Sequence, residues 1–272
     1  MIHGDEGYDA FENLSVAFGE QGVATLRLGS SDGVGKVTRK FHEELEIVFQ
    51  ALARDSRVKV IIITGAGRHF SAGGDLNWME EEQDPYALEL SLAQGRRIIE
   101  AMLALHQPVI AAVNGAAIGL ACTIALYCDI TIVADDAKVG DPHVALGLVC
   151  GDGGAVIWPL LVGAHRANRY LLTGELMTGA KAVEIGLMGE TAPRSEVYHR
   201  AVALATRIAG LPGPAVRGTK RSIVRHVAMA TSANLELSLE KERTSVSSQE
   251  HRDAVAAFIA KERAHRQTET NS

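Results

Sequence analysis

Three short apolar runs constrain the fold of this chain most strongly. They are VKVIIITGAG at 58–67, VIAAVNG at 109–115 and ITIVAD at 130–135. Runs of this length, bounded by glycine or acidic residues, are typical of strands buried on both faces of a sheet. A segment with helical patterning precedes the first run, at 37–53, and two others separate the runs, at 86–106 and 116–129. This alternation predicts an α/β fold with parallel strand pairing.

The last part of the chain has a different pattern. A further alternating strand is predicted near the start of the chain, VATLRL at 23–28. The segment from residue 153 onward, by contrast, is almost entirely helical in pattern. Helices are predicted at 213–229 and 232–263, and the segment 181–191 predicts a helix that ends near Gly186 and then an extended return. We therefore expect a core at 1–195 and a helical section at 196–272.

Composition excludes several classes of function. The chain has 272 residues with a formal net charge of −6, which argues against nucleic acid or an anionic membrane as the main partner. No apolar run reaches the ~18 residues of a membrane span, and the polar, acidic N-terminus predicts no signal peptide. Three cysteines, Cys122, Cys128 and Cys150, cannot all pair. Without zinc-ligand spacing they indicate reduced thiols, no metal site and a cytoplasmic location.

Two glycine-rich turns each follow a predicted strand. They are TGAGRHFSAGGDL at 64–76 and VNGAAIGLACTIA at 113–125. Free backbone N–H groups at such turns suit a negatively charged oxygen, so two converging turns would form an oxyanion hole. The alternative is that both are ordinary turns in which small residues only permit packing. Neither turn has the spacing of a nucleotide-binding loop.

The order and spacing of three stretches resemble the enoyl-CoA hydratase/isomerase, or crotonase, superfamily. They are VKVIIITGAGRHFSAGGDL, PVIAAVNGAAIGLACTIALYCDITIVADDAKVGDP and LGLVCGDGG, and the likeness runs from about residue 12 to 264. The resemblance implies a crotonase-like fold of repeated ββα units, with C-terminal helices that pack against neighbouring subunits in trimers or hexamers. It also implies an acyl-CoA substrate. Coenzyme A would then enter as part of that thioester rather than as a permanently bound cofactor.

The same resemblance assigns binding residues. The two oxyanion-hole N–H groups match Gly74 and Leu120, and a Phe-x-x-Lys pattern near the CoA phosphates matches Phe258 and Lys261. The segment after the first strand, LRLGSSDGVGKVT at 26–38, departs from the pattern of the family, so it gives no clear CoA contact beyond a weak candidate, Lys36.

Three further side chains are candidates for contact with the substrate. Ala72 belongs to a turn that lets the backbone approach a ligand closely, and Trp78 is expected to form a wall of the acyl pocket. Thr123 can position a water molecule. By contrast, we expect His42 to occupy an exposed helix position and Asp75 to be a structural cap.

The catalytic positions differ from those of a hydratase of the family. The two expected glutamates are replaced by Thr123 and His143. His143 and Asp152 lie nine residues apart, a spacing similar to that of 6-oxocamphor hydrolase, a family member that cleaves β-diketones hydrolytically. A histidine base needs its tautomer fixed, and a carboxylate does that. Alternatively, Asp152 caps the following helix and His143 is a wall residue.

These features lead to one principal hypothesis and one alternative. The principal hypothesis is an acyl-CoA enzyme that stabilises a thioester enolate and uses a His–Asp pair to activate water or shuttle a proton. Hydration of an enoyl-CoA and hydrolytic C–C cleavage of a β-keto acyl-CoA both fit. The alternative is a non-catalytic acyl-CoA-binding protein that has lost both glutamates.

Overall fold

The computed structural model describes residues 8–29, 35–81 and 84–270. The strands are β1 Leu14–Phe18, β2 Val23–Leu28, β3 Val60–Gly65, β4 Val109–Val113, β5 Ala117–Ile118, β6 Ile130–Ala134, β7 Lys138–Gly140, β8 Met177–Thr178 and β9 Glu190–Ala192. The helices are α1 Arg39–Arg54, α2 Leu76–Glu81, α3 Pro85–Ala104, α4 Leu120–Tyr127, α5 Gly154–Val162, α6 Ala164–Thr173, α7 Gly179–Glu184, α8 Arg194–Ala209, α9 Gly213–Val246 and α10 Gln249–Thr270. Short 3-10 turns lie at Glu20–Gly22 and His143–Leu146.

The main sheet has six strands in the order β1-β2-β3-β4-β6-β9. β1 pairs antiparallel with β2, and every other neighbouring pair is parallel. The apolar runs at 58–67 and 109–115 become β3 and β4, whose residues are all buried. The predicted α/β class with parallel pairing is therefore confirmed. Parallel pairing also brings the carboxyl ends of β3 and β4 to one edge, where both glycine turns begin.

A second, small sheet lies beyond that edge. It has the strand order β5-β7-β8, in which β5 is parallel to β7 and β7 is antiparallel to β8. The sequence analysis placed residues 116–129 in one helix, and this is wrong at its start because Ala117 and Ile118 form β5. The hydrogen bond from Gly119 N–H to the Gly140 carbonyl, at 3.0 Å, then fixes the start of α4 beside the end of β7.

Helix α8 covers one face of the main sheet. Its four buried side chains belong to the same apolar core as the strands, namely Val197, Ala201, Ala205 and Ala209. Glu196, where we expected the helical section to begin, lies in the first turn of this helix. The polypeptide thus enters its C-terminal helices while it is still packed on the sheet.

The two long C-terminal helices differ from the prediction in one respect. A break was expected between 229 and 232, but α9 runs without interruption to Val246. Thr231 is buried there, and its hydroxyl lies 3.2 Å from Tyr127 Oη, so this polar residue is accommodated within the helix. Among the described residues, no helix is both long enough and apolar enough to cross a membrane.

Candidate active site

The two glycine-rich turns lie side by side. Ser71 N–H donates to the Ala116 carbonyl at 3.0 Å, and Ile118 N–H donates to the Ser71 carbonyl at 3.3 Å. Gly73 has φ of +97°, a conformation that favours glycine, and a Cβ built on it would lie in ordinary contact with the Ile118 side chain at 3.7 Å. The two turns are therefore adjacent, as an oxyanion hole built from both would require.

Each turn contains one of the residues predicted to donate. Val37 makes two backbone hydrogen bonds with the first turn: its N–H donates to the Gly73 carbonyl, and its carbonyl accepts from the Asp75 N–H. The N–H of Gly74 takes no part in either bond. Leu120 is the first residue of α4, and an N–H in that position has no partner within the helix. Its side chain is buried, while Gly119 before it has φ of +60°, a conformation that favours glycine.

His143 stands beside the second turn. A Cβ built on Gly119 would lie 3.4 Å from His143 Cε1 and 3.6 Å from Nε2, so the Nε2 edge of the ring faces the start of α4. The other ring nitrogen, Nδ1, hydrogen-bonds Asp141 Oδ1. Asp141 also accepts from the His143 backbone N–H at 3.2 Å. The carboxylate that orients the ring is therefore Asp141, which the sequence analysis did not identify.

Asp152 lies close to this pair without contacting the ring directly. One ligand atom each of Asp141, His143 and Asp152 lies within 4.8 Å of the others, a separation that one water molecule can bridge. Thr123 Oγ1 donates to Asp152 Oδ1 at 3.4 Å, and the Gly154 N–H approaches the same oxygen at 3.4 Å. The N-cap of α5 is Gly153, so capping does not account for Asp152 by itself.

The charges in this cluster set its protonation state. Burial by itself lowers the pKa of His143. The charge and hydrogen bond of Asp141 outweigh this effect, and with the charges of Asp152 and Glu242 they raise this pKa to about 10. Burial raises the pKa of Asp152 to about 6, although the nearby charge of His143 lowers it. At neutral pH the site therefore holds a protonated ring beside a carboxylate, which is an acid and a base.

The glycine run around Asp152 lets this turn pack tightly. A Cβ on Gly154 would lie 2.5 Å from Asp141 Oδ2, and one on Gly151 would lie 2.5 Å from Glu242 Oε2 of α9. Asp141 Oδ2 is buried and has no hydrogen-bond partner among the described residues. Without side chains, Gly154 and Gly151 thus allow the carboxylates of Asp141 and of Glu242 on α9 to pack directly against the turn that carries Asp152.

The C-terminal helices support the turn that carries His143. His251 of α10 is buried and its Nδ1 lies 2.7 Å from the Leu146 carbonyl, at the end of the 3-10 turn. Ser245 of α9 accepts from the Val149 N–H at 3.1 Å. The position of His143 thus depends on residues about a hundred positions further along the chain.

Comparison with known proteins was made for the whole chain. Residues 19–268 match the model of the enoyl-CoA hydratase/isomerase family. The chain belongs to this family. A short-chain-enoyl-CoA hydratase of Clostridium acetobutylicum is 31% identical over 240 residues, which cover 88% of this chain and 92% of the relative.

Solved structures confirm the crotonase-like fold. An enoyl-CoA hydratase/isomerase from Mycobacterium paratuberculosis matches with a TM-score of 0.87 and 35% identity, covering 92% of this chain and all of that one. A β-diketone hydrolase from the cyanobacterium Anabaena, solved with (S)-3-oxocyclohexyl acetic acid bound, matches with a TM-score of 0.82 and 27% identity, covering 88% and 96%. The family resemblance drawn from the motifs is thus confirmed.

In this member of the enoyl-CoA hydratase/isomerase family, the remaining predicted binding residues lie on different elements. Phe258 and Lys261 are on α10, the first half-buried and the second exposed. Lys36 forms an ion pair with Asp75 at 3.1 Å, next to the turn that contains Gly74. Part of the segment 26–38, residues 30–34, lies outside the described residues. Ala72 is partly exposed in the first glycine turn.

His42 corrects the sequence analysis. It was expected to be exposed, but only 5% of it is accessible, because the first turn of α1 is covered by Trp78. The two rings meet edge to face with centroids 4.7 Å apart. Trp78 in turn packs beside Gly74, where a Cβ would lie 3.8 Å from Trp78 Cε3. The two aromatic side chains therefore lie next to the first glycine turn.

Asp141, His143 and Asp152 also carry atoms of the kinds that bind metal ions, namely carboxylate oxygens and a histidine ring nitrogen. In this arrangement the Nδ1 atom of His143 is used in the hydrogen bond to Asp141. This pairing favours a network for proton transfer.

Proposed function

We propose that this chain is an acyl-CoA enzyme that adds water to the β-carbon of a CoA thioester. The observation that carries the proposal is the cluster of partly exposed His143 with buried Asp141 and Asp152, beside the turn that leads into α4. Family membership supports the class of substrate, since the related hydratase acts on an enoyl-CoA.

The two glycine turns would stabilise the charge that develops on the thioester oxygen. Attack at the β-carbon places an electron pair on the α-carbon, and the thioester carbonyl takes the charge as an enolate. The N–H groups of Gly74 and Leu120 would donate to that oxygen. One such donor typically stabilises the transition state by ~3–4 kcal/mol.

The acid and the base would act at neighbouring carbons. Asp152, a carboxylate above about pH 6, would take a proton from the attacking water. His143, protonated below about pH 10, would deliver its Nε2 proton to the α-carbon of the enolate. This proposal replaces the expectation from the sequence, in which His143 was the base and Asp152 its orienter, because Asp141 occupies the orienting position.

Two reactions use these same steps. With an enoyl-CoA, water adds across the double bond and the product is a β-hydroxyacyl-CoA. With a β-keto acyl-CoA, water adds to the β-carbonyl carbon and the electron pair goes first to the ketone oxygen. Collapse of this alkoxide then breaks the bond between the α- and β-carbons and places the electron pair on the thioester as the enolate. A carboxylic acid and a shorter acyl-CoA then leave after protonation of the enolate. The likeness to the Anabaena β-diketone hydrolase supports this second reaction.

A product analysis tests the proposal. The protein is incubated with crotonyl-CoA and acetoacetyl-CoA, and the products are identified by mass. Hydration adds the mass of one water to the thioester, whereas cleavage of acetoacetyl-CoA yields acetate and acetyl-CoA. If the protein binds these thioesters and longer homologues but converts none of them, it is a binding protein and the proposal is wrong.

A further inference from the structure

Two side chains next to the first glycine turn carry buried polar atoms without partners. Both ring nitrogens of His42 and the Nε1 of Trp78 are buried, and none has a hydrogen-bond partner among the described residues. Native proteins pair almost all such atoms, and exceptions commonly mark a place where a water or ligand binds. Here three unpaired polar atoms lie on two rings in contact.

The rings of His42 and Trp78 lie next to the turn that contains Gly74, one of the two proposed donors of the oxyanion hole. Trp78 packs beside Gly74, and Val37, five residues before His42, forms a bridge with the same turn. His143 lies instead against Gly119, on the other glycine turn. His42 and Trp78 therefore lie on the Gly74 side of the proposed hole, whereas His143 lies on the Gly119 side.

We propose that Trp78 and His42 bind an acceptor oxygen on the acyl chain, so that the preferred thioester carries a keto oxygen beyond the reacting carbons. This rests on the proposed function, because it assumes that an acyl-CoA carbonyl lies in the hole. It goes further by assigning a recognition site for the distal part of the acyl group.

The chemistry of the two rings selects a neutral acceptor. Trp Nε1–H can only donate, and a neutral histidine ring has one donor and one acceptor. Burial lowers the pKa of His42 to about 4, so the ring is neutral at neutral pH. A ketone oxygen accepts two hydrogen bonds and needs no counter-charge. An alkyl chain would leave the donors of both rings unpaired, and a carboxylate would require a charge that the neutral ring does not supply.

The test compares the affinities of two thioesters that differ by one oxygen. The dissociation constants of 4-oxopentanoyl-CoA and pentanoyl-CoA are measured by calorimetry with the whole protein. Wild type is expected to bind the keto compound about five- to tenfold more tightly, the value of one or two hydrogen bonds. This ratio should fall toward one in His42→Phe and in Trp78→Phe.

Two further variants sharpen the comparison. His42→Gln keeps a donor and an acceptor and should retain part of the preference. His165→Phe makes the same change at an exposed position on α6 and should leave the ratio unchanged. If His42→Phe does not fold, Trp78→Phe decides, since Trp78 is only partly buried.

The outcomes separate this inference from the proposed function. A wild-type ratio of one, or a ratio that both ring variants leave unchanged, overturns the inference. Because the experiment measures binding, a protein that prefers the keto compound but converts no thioester contradicts the proposed function alone. A protein that binds neither thioester contradicts both.

Discussion

The Asp141 carboxylate decides which proton-transfer role is open to His143. A histidine without a charged partner titrates near pH 6.5 and is a base at neutral pH. Beside buried Asp141 its pKa is raised to about 10, so the ring is charged before substrate arrives. Asp152, with a pKa raised to about 6, then takes the part of the base. Burial and the neighbouring charges, rather than the residue types alone, therefore make His143 the acid and Asp152 the base.

Asp141→Asn should move the pH profile to lower pH. On our account activity falls below about pH 6, as Asp152 becomes protonated, and above about pH 10, as His143 loses its proton. Asparagine removes a charge that raises both pKa values, so both limbs should move down and the alkaline limb should approach neutral pH. The measurement is kcat/KM against pH. Asp136→Asn, at an exposed position, is the control, and an unmoved alkaline limb would contradict the role of Asp141.

Sequence reasoning found part of this site and missed part of it. His143 and Asp152 were found because the family pattern fixes the position of the first and a glycine run surrounds the second. Asp141 was missed because an acidic residue before proline resembles an ordinary turn residue. Glu242 was missed because it lies on α9, far along the chain. Burial of His42 was missed because its cover, Trp78, belongs to another helix.

The first glycine turn allows a matched test of one oxyanion-hole donor. Gly74→Ala keeps the backbone N–H, and the one close contact that the structure records for the new Cβ is with the flexible end of Met79 at 2.7 Å. Gly74→Pro removes the N–H. Loss of one donor typically lowers kcat by 10²–10³-fold. We therefore expect a fall of roughly 100-fold or more for the proline variant and a much smaller change for alanine. Circular dichroism shows whether each variant folds, and full turnover by folded Gly74→Pro would disprove the assignment.

The elements that sequence patterns predicted best are long or wholly buried. The apolar run at 130–135 became β6 and the helical pattern at 37–53 became α1, each within two residues. β5 and β8 have two residues each, which is too short to show any periodicity, so the small sheet was not predicted. The break expected at 230–231 was wrong because Thr231 finds a hydroxyl partner inside the fold.

Several large apolar side chains are exposed on the helices of the chain. Large examples remain on α5, α6 and α9, namely Leu160, Leu161, Leu172, Ile223, Met229 and Leu237. Apolar surface of this kind commonly marks an interface between subunits. We expect trimers or pairs of trimers, as the family resemblance implies. Light scattering at micromolar concentration should give the mass of three or six chains, and the mass of one chain would contradict this.

The central claim is that Asp152 acts on water beside the protonated ring of His143. The most direct measurement is kcat of Asp152→Asn on the thioester that wild type converts, together with the dissociation constant of that thioester. Asparagine supports the adjoining helix about as well as aspartate but cannot accept a proton. Loss of a general base typically slows turnover 10²–10⁴-fold. We predict a kcat at least about 100-fold lower with affinity changed only a few-fold, whereas unchanged kcat would show that Asp152 only holds its turn.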